Sequence, residues 1–360
     1  DVTLGYRMLE RPSRRTTLGS VPVAADELHK YCAIGGIILT FGCKFHCPYC
    51  PIPAYNQRQL RYKSGRRIAD EMEQLYRNFG MRYMFGADDN FFNNKARTLE
   101  IIETLAKSEI NGKSFGHIFR WGTEATVHDT LEMREHMQTV RKSGLRALWM
   151  GVEDMTATLV KKGQSVNKTI EAFRMLKDAG ISPMPMMMHY DAQPLLTRGK
   201  PDGLLNQVKI LRKAGAIGLQ VLMITPATGS KMYEDTFKSG MVYESVGRRK
   251  VEPYMLDGNY VVASNHKHPW TKQFNIMAAY LYFYNPLRML YAICRPKNSL
   301  YLVDCGMQVI GMWGLSLTIR RTLGWAFRLM FCKIRRRTAP PSENLPMRSP
   351  DGGTASHALL

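Results

Sequence analysis

The first two-thirds of the chain repeat one unit, an amphipathic helix that ends near a glycine and is followed by a short apolar run. The glycines are Gly80, Gly112, Gly144, Gly180 and Gly215, spaced by 32, 32, 36 and 35 residues. Glycine tolerates the left-handed conformation that follows a helix, and roughly 30 residues or more is the size of a strand–helix–strand unit. The sequence therefore predicts a parallel sheet with right-handed helical connections.

Six short apolar runs are the predicted strands of this sheet. They are 33–40, 82–85, 117–121, 147–151, 183–188 and 216–224. The segments between them carry apolar side chains on one helical face, as Ile68, Met72 and Leu75 do at steps of four and three residues. Six such units predict an α/β fold, a partial (β/α)6 barrel that stays open.

Polar side chains follow the predicted strands. Strands two to six lead to Asp88, Asp89 and Asn90, then Thr123 and Glu124, Glu153 and Asp154, His189 and Asp191, and Thr225. The C-terminal ends of barrel strands meet at one rim, where the chemistry of such folds gathers. We therefore expect one site at this rim, with His189 serving mainly as a hydrogen-bonded structural residue. The methionines at 184 and 186–188 are expected to be core packing.

The first predicted strand leads into the run Gly42-Cys43-Lys44-Phe45-His46-Cys47-Pro48-Tyr49-Cys50. Its C-x3-C-x2-C spacing suits three irons of a [4Fe-4S] cluster and leaves the fourth iron open to a ligand. A zinc site usually takes four ligands and would need His46, and a disulfide framework suits short secreted chains. Cys43, Cys47 and Cys50 are therefore the predicted cluster ligands.

This loop, with an aromatic residue before its third cysteine and a partial barrel behind it, resembles the radical S-adenosylmethionine (SAM) superfamily over residues 34–230. The runs 85–92, 151–154 and 225–230 resemble its cobalamin-binding branch, which includes methylases of unactivated carbons and a ring-forming cyclase of pigment synthesis. The resemblance implies a TIM-like partial barrel whose cluster chelates SAM at the open iron. It also implies a 5′-deoxyadenosyl radical that abstracts hydrogen from a substrate.

The resemblance further implies residues that contact SAM. Asp88 and Asp89 stand where the superfamily has a Gly-Gly-Glu that holds the SAM amino group, with helix capping as the alternative. Glu153 resembles the strand-four acid that faces the ribose or amino acid part of SAM, with a solvated loop acid as the alternative. Tyr49 is expected near the adenine, or as a buried ring, and Thr225 beside the adenine, or in a simple turn.

The cobalamin branch normally carries an upstream domain with an Asp-x-His-x-x-Gly motif, which this sequence does not contain. Because the first strand is predicted near Ala33, we expect either a fragment or a protein that works without a cobalamin domain of its own. Cobalamin and methyl transfer through it remain open.

The predicted organisation has four parts. Residues 1–32 are a linker or the remnant of an upstream domain, 33–235 the barrel, 236–337 an extension with amphipathic helices, and 338–360 a disordered tail rich in Pro, Ser and Gly. Apolar segments at 270–293 and 300–319 predict a helical subdomain or a helix on an anionic membrane surface. A membrane span is disfavoured by Asp304 within the second segment.

The resemblance implies a radical SAM enzyme that functionalises C–H bonds, with methylation of a lipid or natural product as one form. The alternatives are an RNA- or protein-modifying enzyme of methylthiotransferase type, and a non-catalytic iron–sulfur protein that docks on membranes. The net charge of +20 favours anionic partners, although no RNA-binding module is apparent and nucleic acid is not the expected partner.

The expected partners are a small-molecule or lipid substrate, an electron donor of the reduced flavodoxin or ferredoxin type, and an anionic membrane surface. Dispersed free cysteines and an oxygen-sensitive cluster favour a reducing cytoplasm. A surface helix would make the protein peripheral at the inner face of the membrane.

Overall fold

The computed structural model describes residues 34–56, 59–294 and 300–341, with the backbone of two short strands, Met347–Arg348 and Thr354–Ala355. Six strands form the central sheet: β1 Ile34–Ile37, β2 Tyr83–Gly86, β3 Arg120–Thr126, β4 Leu145–Glu153, β5 Ser182–His189 and β6 Gln220–Met223. Each strand pairs in parallel with the next one along the chain. The sheet is therefore an open half-barrel, which confirms the predicted partial (β/α)6 fold. The predicted linker 1–32 and most of the predicted tail lie outside the described residues.

Helices follow the strands. They are α1 Gly65–Phe79, α2 Lys95–Lys107, α3 Val127–Glu132, α4 Met137–Lys142, α5 Val166–Asp178, α6 Leu204–Ala214, α7 Tyr233–Lys238, α8 Pro269–Phe283, α9 Pro286–Cys294 and α10 Tyr301–Phe331. Shorter helical turns span Ile52–Tyr55, Phe91–Asn93, Phe115–Ile118, Arg134–His136 and Pro253–Asp257. The predicted apolar face of α1 is buried, since Ile68, Met72 and Leu75 are all covered.

The third strand begins later than the sequence pattern predicts. Part of the run 117–121 belongs to the short helix Phe115–Ile118, and β3 spans Arg120–Thr126. Thr123 and Glu124 therefore lie within the strand rather than beyond its end. The prediction for Gly112 is also wrong, because it lies in the turn of a small hairpin rather than after a helix.

The two faces of the sheet differ in exposure. Leu148, Met150 and Val152 of β4 are fully buried in the main core, which the helices cover. On the opposite face Phe85 contacts the ring of Trp149 edge-on, at 5.0 Å between ring centroids. Gly122 lies between them, where a Cβ atom would stand 2.8 Å from the Trp149 ring.

The methionines of β5 divide between these two environments. Met187 is buried in the main core on the helix-covered face. Met184 is buried on the opposite face, in a small cluster with Ile217 and Leu300 beside Trp149, so both residues are buried as predicted for core packing. Met186 and Met188 are half-buried and pair with β6 beside the half-buried Leu222. The inner face of the half-barrel is thus mainly apolar and partly open.

The region after β6 contains a small antiparallel sheet that the sequence analysis did not predict. Strand β7 Tyr243–Val246 pairs antiparallel with β8 Arg249–Lys250 and with β9 Ile334–Arg336. The Arg336 guanidinium lies over the Tyr243 ring and donates to the carbonyl of Ser264. Arg336 therefore stabilises the packing of the C-terminal extension.

Candidate cluster and cofactor site

The cysteine loop leaves β1 through the short strand Thr40–Phe41, which pairs antiparallel with Arg61–Tyr62 and closes the base of the loop. Gly42 has a φ of +102°, and a Cβ atom there would stand 2.6 Å from the Gln59 carbonyl oxygen. Only glycine suits both constraints. The entry to the loop is therefore a fixed turn, and the three cysteines follow it directly.

Cys43, Cys47 and Cys50 are free thiols, and each lies close enough to the others to affect their titration. Burial raises the pKa of all three, that of Cys50 to about 11, and the neighbouring sulfurs raise the pKa of Cys43 and Cys50 further. The positive charge nearby is too small to keep the pKa of these partly buried thiols at its ordinary value. Three such thiols form a donor set that suits a soft, cationic iron–sulfur group. Among the described residues, no three His, Cys, Asp or Glu side chains converge on one metal ion.

A hydrogen-bonded network holds the loop against β2 and α3. The Gly42 amide donates to Asp89 Oδ2 at 2.7 Å, and the Lys44 amide donates to Asn93 Oδ1 at 3.1 Å. The Lys44 ammonium forms an ion pair with Asp129 at 2.6 Å. These contacts fix the loop from three separate points in the sequence.

Asn90 links this network to the thiols. Its amide nitrogen donates to Asp129 Oδ2 at 2.7 Å and lies 4.0 Å from Cys43 Sγ. Its side-chain oxygen accepts from the Thr126 amide. The sequence identified Asn90 as a rim residue, whereas no local pattern indicated Lys44, Asn93 or Asp129.

Asp88 occupies a different environment from its neighbour. Its Oδ1 accepts hydrogen bonds from the amides of Leu39 and Thr40, and its Oδ2 accepts from the Thr123 hydroxyl. Burial raises its pKa, and these donors offset part of the increase. Asp88 thus ties the ends of β1 and β2 to β3. Asp89 is half-buried at the loop entry and is the more accessible carboxylate of the pair.

Glu153 lies at the end of β4 with a φ of +56°, which is unusual for a residue other than glycine. Its Oε1 accepts from the Lys162 ammonium at 2.7 Å, and both side chains are largely buried. Burial alone would lower the pKa of Lys162. The Glu153 charge and the Cys47 and Cys43 sulfurs raise it by more than that, so the net shift is an increase. Lys162 therefore supplies positive charge close to the thiols, and the sequence analysis missed it.

Glu124 faces the same space from β3. Burial raises its pKa to about 7, and the charges of Asp88, Asp89 and Glu153 contribute to the increase. Four carboxylates from three strands or their ends thus act on one another. Such a group favours a cationic ligand.

Tyr49 lies within the cysteine loop, and Thr225 follows the end of β6. The Tyr49 hydroxyl is buried and makes no hydrogen bond of normal geometry. Burial raises its pKa, and the nearby Glu153 and Cys47 raise it further. The Thr225 hydroxyl donates to the Leu256 carbonyl at 3.3 Å. Their contacts with SAM stay predictions. The loop meets the segment after β6, because the Met232 amide donates to the Pro48 carbonyl.

His189 and Asp191 are structural in this fold. The buried His189 ring contacts Gln193 Oε1 at 2.8 Å and Asn275 Nδ2 at 3.2 Å, and burial lowers its pKa to about 4. Asp191 accepts from the Asn265 amide at 2.6 Å. Both residues join the half-barrel to the C-terminal region.

Comparisons with known proteins agree with this geometry. Residues 37–191 match the model of the radical SAM superfamily. An uncharacterized methyltransferase of Synechocystis sp. is 27% identical over 49% of this chain and 33% of its own length. The hopanoid C-2 methylase of Rhodopseudomonas palustris is 27% identical over 39% of this chain and 26% of its own. The chain thus spans a third or less of these two relatives.

The fold is also similar to a solved structure. The radical SAM methyltransferase TsrM of Kitasatospora setae, with cobalamin and a [4Fe-4S] cluster bound, superimposes with a TM-score of 0.51 and 16% identity. The match covers 65% of this chain and 42% of that one. The superfamily match covers the cysteine loop and the first five strands of the half-barrel, while β6 lies beyond it. The protein therefore contains a radical SAM domain at residues 37–191, which places this part of the chain in the radical SAM superfamily.

Proposed function

We propose that this protein is a radical SAM enzyme that functionalises a C–H bond of an apolar substrate, with methylation as the favoured outcome. The observation that carries the proposal is that three thiols and several carboxylates converge at the rim of one half-barrel. When bound, a [4Fe-4S] cluster and SAM supply one-electron reductive cleavage of a sulfur–carbon bond.

In this proposal Cys43, Cys47 and Cys50 hold the cluster. Asp89 and Asn93 orient the loop through its backbone, so that the thiols are positioned before the cluster binds. Lys162 lies near the sulfurs and offsets negative charge there. Such preorganised charge lowers the cost of holding thiolates in a partly buried pocket.

The carboxylates are proposed to bind the cationic groups of SAM. Asp89, Glu124 and Glu153 act electrostatically on one space, and a carboxylate binds an ammonium through charge-assisted hydrogen bonds. Asp88 has protein donors on both oxygens, so we assign it a positioning role. Tyr49 and Thr225 complete the proposed SAM contacts.

The inner face of the half-barrel supports an apolar substrate. Phe85, Trp149, Met186 and Met188 are only partly buried there and present aromatic and thioether surface. Methionine adapts to irregular apolar shapes. One relative is named a methylase of hopanoids and another a methyltransferase, which favours methylation of a lipid or natural product.

Two further components are proposed for the complete system. TsrM contains cobalamin, so cobalamin is a candidate methyl carrier here as well. The electron would come from a small donor protein of the reduced flavodoxin or ferredoxin type.

The test is anaerobic reconstitution with iron and sulfide, followed by reduction with SAM and quantification of 5′-deoxyadenosine. We expect product from the wild type and none from a Cys43→Ala/Cys47→Ala/Cys50→Ala variant. Cys294→Ala is the matched control, because that thiol is exposed in α9. A fully loaded wild type that forms no product, with or without added cobalamin, would contradict the proposal.

A further inference from the structure

Helices α9 and α10 present apolar side chains to solvent. Leu287 of α9 is 77% exposed, and Leu302, Ile310 and Trp313 of α10 are 68%, 58% and 63% exposed. The last three lie on one side of α10, because they are separated by eight and three residues. A monomer rarely leaves a contiguous apolar surface of this kind without a partner.

The opposite side of α10 is packed against the protein. Gln308, Leu315, Thr322 and Leu329 are buried at intervals of seven residues. Gly311 lies against Tyr284, whose ring would be 2.2 Å from a Cβ atom at that position. The packed side of α10 therefore mixes polar and apolar residues, whereas apolar residues on its other side stay exposed. An amphipathic helix normally turns its apolar side towards a partner.

Basic residues border the exposed apolar side. Arg320 and Arg321 are exposed about two turns beyond Trp313, and the exposed Arg328 follows on the same helix. Residues 286–337 contain ten Lys and Arg residues and one acid, Asp304. That acid is neutralised by a two-point ion pair with Arg212, at 2.7 and 2.8 Å. The surface therefore combines apolar side chains with net positive charge.

We infer that the exposed side of α9 and α10 docks on an anionic phospholipid bilayer, with the helices lying in the plane of the membrane surface. Among the described residues, α10 alone has the length and hydropathy of a membrane span. However, it is packed on the domain from Gln308 to Leu329, a length of about 30 Å. A span would have to draw the folded domain into the bilayer, and it would bury Arg320 and Arg321. A surface position places the apolar side chains in the lipid and the arginines at the headgroups.

The inference is tested by flotation of the cluster-loaded full chain with two kinds of vesicle, phosphatidylcholine alone and phosphatidylcholine with phosphatidylglycerol. We expect binding to the anionic vesicles that weakens as salt is added. Leu302→Gln/Trp313→Gln should lower the affinity at least about tenfold, since both side chains would leave the lipid. Arg320→Gln/Arg321→Gln should lower it about thirtyfold on anionic vesicles and leave neutral vesicles unaffected.

Matched controls use exposed residues outside these helices. Leu196 is 54% exposed in the loop after β5, and Lys107 is exposed at the end of α2. Leu196→Gln and Lys107→Gln should bind vesicles as the wild type does. Equal binding of the wild type to both vesicle types would overturn the inference, and so would binding that the α10 variants leave intact.

Light scattering without vesicles identifies the main competing occupant, a second copy of the chain. A wild type that binds no vesicles, whether monomer or dimer, would overturn the membrane assignment. A dimer that Leu302→Gln/Trp313→Gln dissociates would show that a second copy covers this surface instead. Neither readout depends on SAM cleavage, so the inference can fail while the proposed function holds.

Discussion

The rim of the half-barrel and the C-terminal helices distribute polarity in opposite ways. At the rim, Asp88, Lys162 and His189 are less than a tenth exposed, and each contacts a polar partner. On α9 and α10, Leu287 and Trp313 are more than half exposed. Burying a polar group and exposing an apolar one both cost free energy. At the rim, hydrogen bonds and ion pairs within the protein offset this cost. For α9 and α10 we propose that an external partner, the membrane surface, offsets it.

The largest effect is expected at the buried ion pair of the rim. Lys162→Met should lower the free energy of unfolding by about 3 kcal/mol or more, because it leaves Glu153 buried without its partner. Urea denaturation of the metal-free, reduced protein measures this change. Lys107→Met removes an exposed pair at 3.8 Å and should change the value by less than about 0.5 kcal/mol. Equal effects of the two variants would show that the rim pair is not held internally.

The next effect is a dependence on pH at His189. Its folded pKa of about 4 lies below the ordinary 6.5, so the unfolded chain takes up the proton first as the pH falls. Its contribution to stability is therefore present above pH 6.5 and is lost towards pH 4, by about 3 kcal/mol in total. Denaturation measured between pH 4 and pH 6.5 should show that the free energy of unfolding changes less with pH in His189→Gln than in the wild type. The exposed-site variant His117→Gln should keep the wild-type curve, and a wild-type curve for His189→Gln would contradict the assignment.

A smaller effect is expected for Asp88→Asn. The asparagine side chain keeps one acceptor oxygen. It loses the carboxylate charge that strengthens the hydrogen bonds from the backbone amides of Leu39 and Thr40. The expected loss is about 2 kcal/mol of unfolding free energy. Asp70→Asn, in a partly exposed pair on α1, is the control and should differ little from the wild type. Loss of SAM binding in Asp88→Asn without loss of stability would instead assign Asp88 to the ligand.

The smallest effect is expected on the exposed side of α10. Trp313→Gln should leave the free energy of unfolding within about 0.5 kcal/mol of the wild type, because the ring contacts mainly solvent. Trp325→Gln on the same helix should cost about 3 kcal/mol, since that ring is buried and donates to the Val261 carbonyl. A large destabilisation by Trp313→Gln would show that this side belongs to the protein core.

Local patterns predicted the order of elements better than their boundaries. Helix α1 follows from the spacing of Ile68, Met72 and Leu75, and the break between α8 and α9 follows from Pro286, which begins the second helix. Strand β3 was misplaced because 117–121 is apolar, yet part of it is buried in a helical turn. The hydropathy of a short apolar run indicates that it is buried, but it does not distinguish a buried strand from a buried helical turn.

The candidate site was predictable where its residues are adjacent in sequence. Cys43, Cys47 and Cys50 form a local pattern. Asp88, Asp89 and Glu153 lie at or just beyond strand ends, as predicted, whereas Glu124 lies within β3. Lys162 reaches Glu153 only because the segment after β4 turns back across the strand end, and no spacing rule encodes that return. The separate roles of Asp88 and Asp89 likewise depend on donors that lie nearly fifty residues earlier in the chain.

The sequence by itself determined the parallel half-barrel, the three-cysteine loop and the apolar, basic character of the C-terminal helices. These follow from local periodicity, spacing and composition, which act over a few turns of chain. Only the tertiary structure decided that Asp88 is occupied by backbone donors, that Lys162 lies beside the thiols and that one side of α10 remains uncovered. Each of these depends on contacts between residues far apart in sequence, and such contacts arise only when the whole chain has packed.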